Sequence, residues 1–283
     1  MIKIILIIMA VFILYCMIET ARELRDFRLT KYRICSPKLN GIRGTKKIVF
    51  LSDLHNRMYG KENERLLESI KNQHPDLILI GGDMLVRKDG NSYDRTVRFL
   101  EKLPAICPVY CANGNHEQKL KELPDKYEQS YEGYKKALTA CGIHMLENAS
   151  ETVRLDEAPV RISGLEIPLG AYARFGKKDL PIKEITDRIG EHGEEYQILL
   201  AHHPRIYTGI SGIRSRPDPE RTLSRGCDAA SGDRRGDFTG FYTISKIFRR
   251  NIQGRSTDGG RKPRTGNTFC AGKIVELAGT DRS

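Results

Sequence analysis

Short apolar runs alternate with amphipathic stretches along most of the chain. Four runs end in polar residues, which is typical of buried strands that present side chains at their carboxyl ends: KKIVFLSDLH, PDLILIGGDM, PVYCANGNHE and YQILLAHHP. Apolar residues at helical spacing predict helices in KENERLLESIKNQ, SYDRTVRFLEKL, residues 126–140 and LPIKEITDRIG. HMLEN, ETVRL and VRISGLE predict three more strands. This order predicts an α/β fold, with sheet at the centre and helices outside.

The amino terminus has a different pattern. The run Ile4–Ile18 carries no charge, and an apolar stretch at the very terminus predicts an uncleaved membrane anchor over residues 1–20. A cleaved signal peptide is the rival interpretation, but charged residues follow at once and no small-residue cleavage site is seen. Residues 21–46 then form a predicted juxtamembrane linker. Its basic residues favour a single-pass protein of the cell membrane with a cytoplasmic body.

Charge is unevenly distributed along the 283 residues. The net charge is +11, yet residues 208–283 alone hold 15 Lys and Arg against 8 Asp and Glu. The main body is therefore close to neutral and shows no interleaving of basic and aromatic residues, which disfavours nucleic-acid binding by it. The seven cysteines follow neither metal-like nor disulfide-like spacing, so ordinary thiols are expected.

Polar side chains cluster where the four apolar runs end. They are Asp53 and His55, then Asp83, then Asn115 and His116, and finally His202 beside His203. Because ligands of α/β sheets gather at the carboxyl ends of strands, these loops are expected to converge on one crevice. Carboxylate, imidazole and amide donors suit Mn, Fe or Zn. Each cluster is common alone, and only the four together in this order predict a metal site.

The series SDLH, GGDM, GNHE and LLAHHP resembles the calcineurin-like metallophosphoesterases, in particular their membrane-anchored bacterial branch, over about residues 47–204. The resemblance implies a four-layer α/β/β/α sandwich with two divalent metal ions between its sheets. It implies that Asp53 and His55 bind the first ion, that Asp83 bridges both, and that Asn115 and His202 bind the second. His116 would stay off the metals as the catalytic residue, stabilising the transition state or protonating the leaving oxygen.

The same resemblance implies an enzyme. Its reaction would be hydrolysis of a phosphomonoester, phosphodiester or pyrophosphate by a hydroxide that the two ions activate. The substrate would be a phosphorylated small molecule, or a lipid-linked phosphate if the anchor places the site near a membrane. Two alternatives stay open: a non-catalytic membrane protein with a partial metal site, and a nucleic-acid binder that works through the basic tail.

The chain departs from the family pattern after residue 207. The family closes its site with G-H-x-H-G-G, but no histidine follows His203, and residues 208–283 contain only two leucines. Reading each codon one nucleotide later can turn Glu220–Gly226 into S-G-H-x-H-G-G and Ser215–Glu220 into the apolar run A-D-L-I-L-S. We therefore expect a frameshift near Tyr207. Residues 47–207 would then be an incomplete phosphoesterase domain of impaired activity, and residues 208–283 an aberrant, disordered basic tail.

Overall fold

The computed structural model describes residues 2–24, 27, 29–87, 92–172, 181–191, 193–202, 241–243 and 272–278. These residues form two sheets, and helices pack against them. The strands are β1 (Leu29–Cys35), β2 (Lys46–Leu51), β3 (Leu77–Ile80), β4 (Val109–Cys111), β5 (Ile143–Met145), β6 (Ala149–Leu155), β7 (Ala158–Leu165), β8 (Tyr196–Ala201), β9 (Phe241–Thr243) and β10 (Gly272–Ala278). The helices are α1 (Ile2–Leu24), α2 (Glu64–Lys71), α3 (Asp94–Leu100), α4 (Asn115–Glu122), α5 (Tyr131–Ala140) and α6 (Ile182–Ile189). The expected mixed α/β class is confirmed.

Side chains that alternate between the two faces of each strand pack the sheets and helices into layers. In β3, Ile78 and Ile80 pack among residues of α2, α3 and α5, while Leu77 and Leu79 face the second sheet. In β8, Leu199 packs with α6 on the far side of the second sheet. Successive strand side chains point to opposite faces, so each sheet is covered on both sides. The resulting order is helices, sheet, sheet, helix.

Strand register places the candidate ligands at one edge. The first sheet has the order β1-β10-β2-β3-β4-β5, and β2, β3, β4 and β5 are parallel to one another. Leu51 pairs with Ile80 and Ile80 with Cys111, so the three strands end level with one another. The second sheet has the order β6-β7-β8-β9, and Leu165 of β7 pairs with Ala201 of β8. The carboxyl ends of β2, β3, β4 and β8 all lead directly into candidate ligands.

The amino-terminal segment is helical, as expected, and α1 continues to Leu24. No helix within the described residues combines the length and the apolar character that crossing a membrane requires. The prediction of a transmembrane anchor over residues 1–20 is therefore not supported. The uncharged run Ile4–Ile18 has fifteen residues, which at about 1.5 Å per residue is shorter than the roughly 30 Å of bilayer hydrocarbon.

Two segments expected to lie outside the domain contribute strands to the first sheet. β1 lies within the predicted linker 21–46, and β10 lies within the predicted tail 208–283. β10 sits between β1 and β2, parallel to the first and antiparallel to the second, and its Ile274, Val275 and Leu277 are buried. Within the predicted tail, residues 241–243 form β9, which pairs with β8, and residues 272–278 form β10. Short apolar runs in polar surroundings become strands only when distant partners pair with them.

Helix α4 also departs from expectation, because GNHE was predicted to lie in a loop after β4. Its sequence, NHEQKLKE, contains one apolar residue, Leu120, so it lacks the periodic pattern that indicates an amphipathic helix. The helix begins at Asn115, directly behind Gly114. Two candidate site residues therefore lie in its first turn.

Candidate metal centre

One group of candidate ligands joins the two sheets. Nε2 of His202 lies 3.0 Å from Oδ2 of Asp83 and 3.6 Å from Oδ1 of Asp53. The other ring nitrogen, Nδ1, is 2.9 Å from the carbonyl oxygen of Gly81, which orients the ring. The ligand atoms of Asp53, Asp83 and His202 all lie within 4.8 Å of one another.

A second group shares the same carboxylate. His55, Asp83 and His116 also have ligand atoms within 4.8 Å of one another. Nε2 of His55 is 3.9 Å from Oδ2 of Asp83 and 3.7 Å from Oδ1 of Asp53. The rings of His55 and His116 meet edge to face with centroids 5.1 Å apart. Asp83, only 3% exposed, is therefore the residue common to both groups.

The backbone of these loops is strained. Asp53, His55 and Asp83 all have positive φ angles, +57°, +51° and +54°, a region that residues with a Cβ rarely adopt. Bonds between the loops hold them there: the N–H of Asp53 donates to the carbonyl of Gly82 at 3.1 Å, and that of His55 to the carbonyl of Asp83 at 3.0 Å. Such strain is characteristic of functional sites, where the surrounding structure fixes the geometry.

Two glycines allow the loops after β3 and β4 to touch. Gly82 has φ +91°, and a Cβ there would overlap the backbone of Gly114. A Cβ at Gly114 would in turn overlap the backbone nitrogen and the carboxylate of Asp83. Because of this approach, the N–H of His116 donates to Oδ1 of Asp83 at 2.8 Å. The glycines of GGDM and GNHE are thus required by close packing.

Glu117 is a positioning residue that the sequence reasoning did not identify. It is 1% exposed, and its carboxylate accepts hydrogen bonds from the backbone N–H groups of Asp83, Met84 and Gly114 at 2.8, 2.9 and 3.0 Å. Burial and the nearby charge of Asp83 raise its pKa. The carboxylate ties the Asp83 loop to the start of α4. In the sequence, the position of Glu117 as the fourth residue of GNHE could have indicated this role.

His116 makes contacts that distinguish it from the other imidazoles. Its Nδ1 accepts a hydrogen bond from the backbone N–H of Arg87 at 3.0 Å, which in the neutral ring leaves the proton on Nε2. Burial lowers the pKa of His116, an effect that the charge of Asp83 opposes without overcoming. A charged ring would also place an N–H of its own against that of Arg87. The geometry therefore favours a neutral imidazole with an Nε2–H donor.

The remaining charges compensate one another. Burial alone would raise the pKa of Asp83, but the hydrogen bond and charge of His202 outweigh it, so the pKa is lowered. Asp53 behaves likewise: burial would raise its pKa, and hydrogen bonding to His55 and the charge of His202 lower it. Burial would lower the pKa of His202, but the hydrogen bond and charge of Asp83 raise it to about 9.

The donor set fits a divalent metal ion. Two carboxylates and the imidazoles of His55 and His202 converge, with no thiolate among them, and one carboxylate is almost completely buried. Such donors suit Mn, Fe or Zn. The structure therefore supports divalent metal binding. The assignment of each ligand to a first or a second ion stays a prediction. Asn115 is half-buried at the start of α4, and His203 lies outside the described residues.

The sequence model of the family described as "Calcineurin-like phosphoesterase" matches residues 46–230, more than half of the chain. A relative from Bacillus subtilis strain 168, the uncharacterized metallophosphoesterase YkoQ, is 26% identical over 197 residues, which cover 68% of this chain and 66% of that protein. The match thus spans slightly less than two thirds of the relative.

Solved structures give weaker likenesses. A phosphopantetheinyl hydrolase from Mycobacterium tuberculosis matches at 16% identity with a TM-score of 0.38, covering 56% of this chain and 68% of that one. A cold-active protein-tyrosine phosphatase from a Shewanella species matches at 16% identity with a TM-score of 0.24, covering 54% and 48%. Scores this low carry no argument about function.

Proposed function

Because this chain belongs to the calcineurin-like phosphoesterase family, we propose that it derives from a hydrolase that cleaves phosphoesters or pyrophosphates with two divalent metal ions. Family membership and the candidate ligands support a metal-dependent phosphoesterase in general. We further propose that the mechanism uses two metal ions and that the substrate is a phosphorylated small molecule. The observation that carries it is the buried carboxylate of Asp83, whose Oδ2 lies 3.0 Å from Nε2 of His202 and 3.9 Å from Nε2 of His55.

Residues of both sheets would hold the ions. Asp53, Asp83 and His202 form one set of donors around the buried carboxylate, and His55 approaches the same carboxylate from its other side. When bound, a pair of such ions supplies a hydroxide nucleophile near neutral pH and positive charge for the displacement at phosphorus. The protein itself contributes a rigid, strained and partly buried frame that fixes the donors before substrate arrives.

His116 would act on the substrate. Its Nδ1 is occupied by the Arg87 N–H, so Nε2 carries the ring proton and is available to donate. We assign to it a hydrogen bond from Nε2 to a phosphoryl oxygen, which strengthens as negative charge develops there. Of the two roles expected from the resemblance, stabilising the transition state fits this tautomer better than protonating the leaving oxygen.

The departure of the chain after residue 207 bears on activity. A site without the two histidines of G-H-x-H-G-G is one imidazole short at each ion, and changes in groups that merely orient ligands already cost about 10–100-fold in affinity or activity. The chain as written is therefore proposed to hydrolyse phosphodiesters poorly. Its frame-restored form is proposed to be active.

The test compares these two forms. Each is assayed with bis-p-nitrophenyl phosphate in the presence of Mn²⁺ and again after removal of metal with a chelator. We expect clear Mn²⁺-dependent turnover by the frame-restored form, little by the chain as written, and none by the frame-restored Asp83→Asn variant. Absence of metal-dependent turnover in the frame-restored form would favour a non-catalytic protein with a partial metal site. Equal activity of the two forms would show that the two histidines are dispensable.

A further inference from the structure

A second cluster of buried and half-buried polar groups lies beside the metal centre and connects the two sheets. We call it the intersheet network. It occupies the carboxyl ends of β4, β5 and β7 and the facing sides of α4 and α5. Its members are Asn113, Lys121, Tyr131, Lys135, Glu147 and Glu166.

Asn113 is the member closest in the chain to the metal ligands. It is 4% exposed, and its side-chain nitrogen donates both hydrogens, to Oη of Tyr131 at 2.6 Å and to Oε1 of Glu166 at 2.8 Å. The next residue, Gly114, packs directly against Asp83, and the two after it begin α4. A displacement of Asn113 would therefore move the carboxylate shared by both groups of ligand atoms.

Glu166 ties this loop to the other sheet. It follows Leu165, the last residue of β7, which pairs with Ala201, and Ala201 immediately precedes His202. The hydrogen bond between Asn113 and Glu166 thus spans the two sheets at the level of the metal centre. On one side of that bond lie the ligands of the six-stranded sheet, and on the other lies His202 of the four-stranded sheet.

The Glu166 end of the bond is firmly held. Nζ of Lys121 lies 2.8 and 3.0 Å from the two carboxylate oxygens, and the side-chain nitrogen of Asn148 donates to Oε2 at 3.2 Å. The backbone N–H of Glu166 donates to Oδ1 of Asn148 at 3.0 Å. Because Glu166 is 7% exposed and held by several groups, a change at Asn113 must be absorbed by the β4–α4 loop.

We propose that Asn113 is a positioning residue for metal binding. Its bond to Glu166 sets the separation between Asp83 on the first sheet and His202 on the second. A metal site tolerates errors of only about 0.2 Å in its ligand distances, so a small relaxation between the sheets lowers affinity. The inference rests on the proposed function, since it presumes that the converging ligands bind metal.

The test measures the affinity of the full chain for Mn²⁺ by electron paramagnetic resonance of the free ion, together with thermal unfolding in the absence of metal. Asn113→Ala should raise the dissociation constant about 10–100-fold, the usual cost of losing a group that orients ligands. Asn148→Ala is the matched control, because it removes another amide partner of Glu166 without touching the β4–α4 loop. It should lower the melting temperature while its Mn²⁺ affinity stays close to that of wild type.

A second pair of variants tests the other end of the bond. Glu166→Gln keeps an oxygen that can accept from Asn113, so it should retain much of the Mn²⁺ affinity that Glu166→Ala loses. This pair decides the matter if Asn113→Ala does not fold. Wild-type affinity in Asn113→Ala, or an equal loss in Asn148→Ala, would overturn the proposal by reducing the network to a general structural role.

Failure of the proposed function is a different outcome. A frame-restored form that hydrolyses nothing, while Mn²⁺ affinity depends on Asn113, would refute the phosphoesterase and leave the positioning role standing. Absence of Mn²⁺ binding by the chain would overturn the positioning role, while metal-dependent turnover by the frame-restored form would still support the phosphoesterase.

Discussion

The intersheet network and the metal centre each hold two carboxylates between the sheets. The two clusters differ in the groups that compensate this negative charge. In the intersheet network, Lys121 lies 2.6 Å from Glu147 and 2.8 Å from Glu166, and Lys135 lies 2.9 Å from Glu147. In the metal centre, the ion pairs of Asp53 and Asp83 within the described residues are made with imidazoles. The first cluster carries its own permanent cations, and the second is arranged to receive positive charge from outside the chain.

Proton affinities show the same contrast. Burial would raise the pKa of Glu147, but hydrogen bonds from Lys121, Lys135 and Tyr131 lower it, so Glu147 is ionised at neutral pH. In the metal centre the positive charge falls to His202, whose pKa is raised to about 9. A protonated imidazole there takes the place that a metal ion would occupy electrostatically. The fold therefore compensates paired carboxylates in two ways. In the intersheet network lysine side chains supply the positive charge, and in the metal centre a protonated histidine or a bound metal ion supplies it.

Asp83→Asn should have the largest effect of the variants considered, and the quantity affected is the affinity of the metal centre for Mn²⁺. Removing the carboxylate shared by both ligand groups should abolish Mn²⁺ binding in practice, a loss of more than about 100-fold, since groups that only orient ligands already cost 10–100-fold. The measurement is a Mn²⁺ titration of the full chain. Asp76→Asn is the control, because Asp76 pairs with Lys46 at the opposite end of the same sheet. Equal losses in the two variants would mean that the metal centre is misplaced.

His116→Ala separates catalysis from metal binding. In the frame-restored form it should lower kcat by about 100–1,000-fold, the range typical of losing one hydrogen-bond donor to the charge of the transition state. Mn²⁺ affinity should hardly change, because Nδ1 is bonded to Arg87 and Nε2 carries the proton. His144→Ala, at an imidazole paired with Glu151 away from the centre, should leave kcat intact. A loss of metal affinity as large as the loss of kcat would identify His116 as a ligand instead.

Glu147→Gln tests the structural cluster and should have the smallest effect. Loss of a partly buried, charge-assisted acceptor should cost about 1–3 kcal/mol of unfolding free energy at pH 7. The folded-state pKa of Glu147 lies below its ordinary value of 4.5, so its contribution is complete above that value and is lost as the pH falls through the folded-state pKa.

Urea unfolding at several pH values measures the contribution of Glu147 to the free energy of unfolding. The gap between wild type and Glu147→Gln should be widest at neutral pH and narrow in acid. Glu132→Gln, at an exposed position on α5, should show no such gap. A pH-independent difference would attribute the loss to packing and not to charge.

Local pattern determined the elements that carry the chemistry. Apolar runs ending at Leu51, Ile80, Cys111 and Ala201 were readable as buried strands, and their polar endings contained Asp53, His55, Asp83, His116 and His202. Because parallel strands that end together place their following residues at one edge, convergence could be inferred before any coordinates. The same reasoning failed for α1 as a membrane span, where a helical pattern was correct but its role was not supported.

Tertiary structure alone decided the rest. The insertion of β10 between β1 and β2 joins residues more than 200 positions apart in the chain, and nothing in the local sequence of either strand specifies that pairing. Likewise, Glu117, Asn113 and Glu166 are ordinary polar residues along the chain, and they acquire roles only where burial removes water and leaves specific partners. Periodicity reports which face of an element is apolar. The partner that satisfies a buried polar group is set by long-range packing, which no local pattern contains.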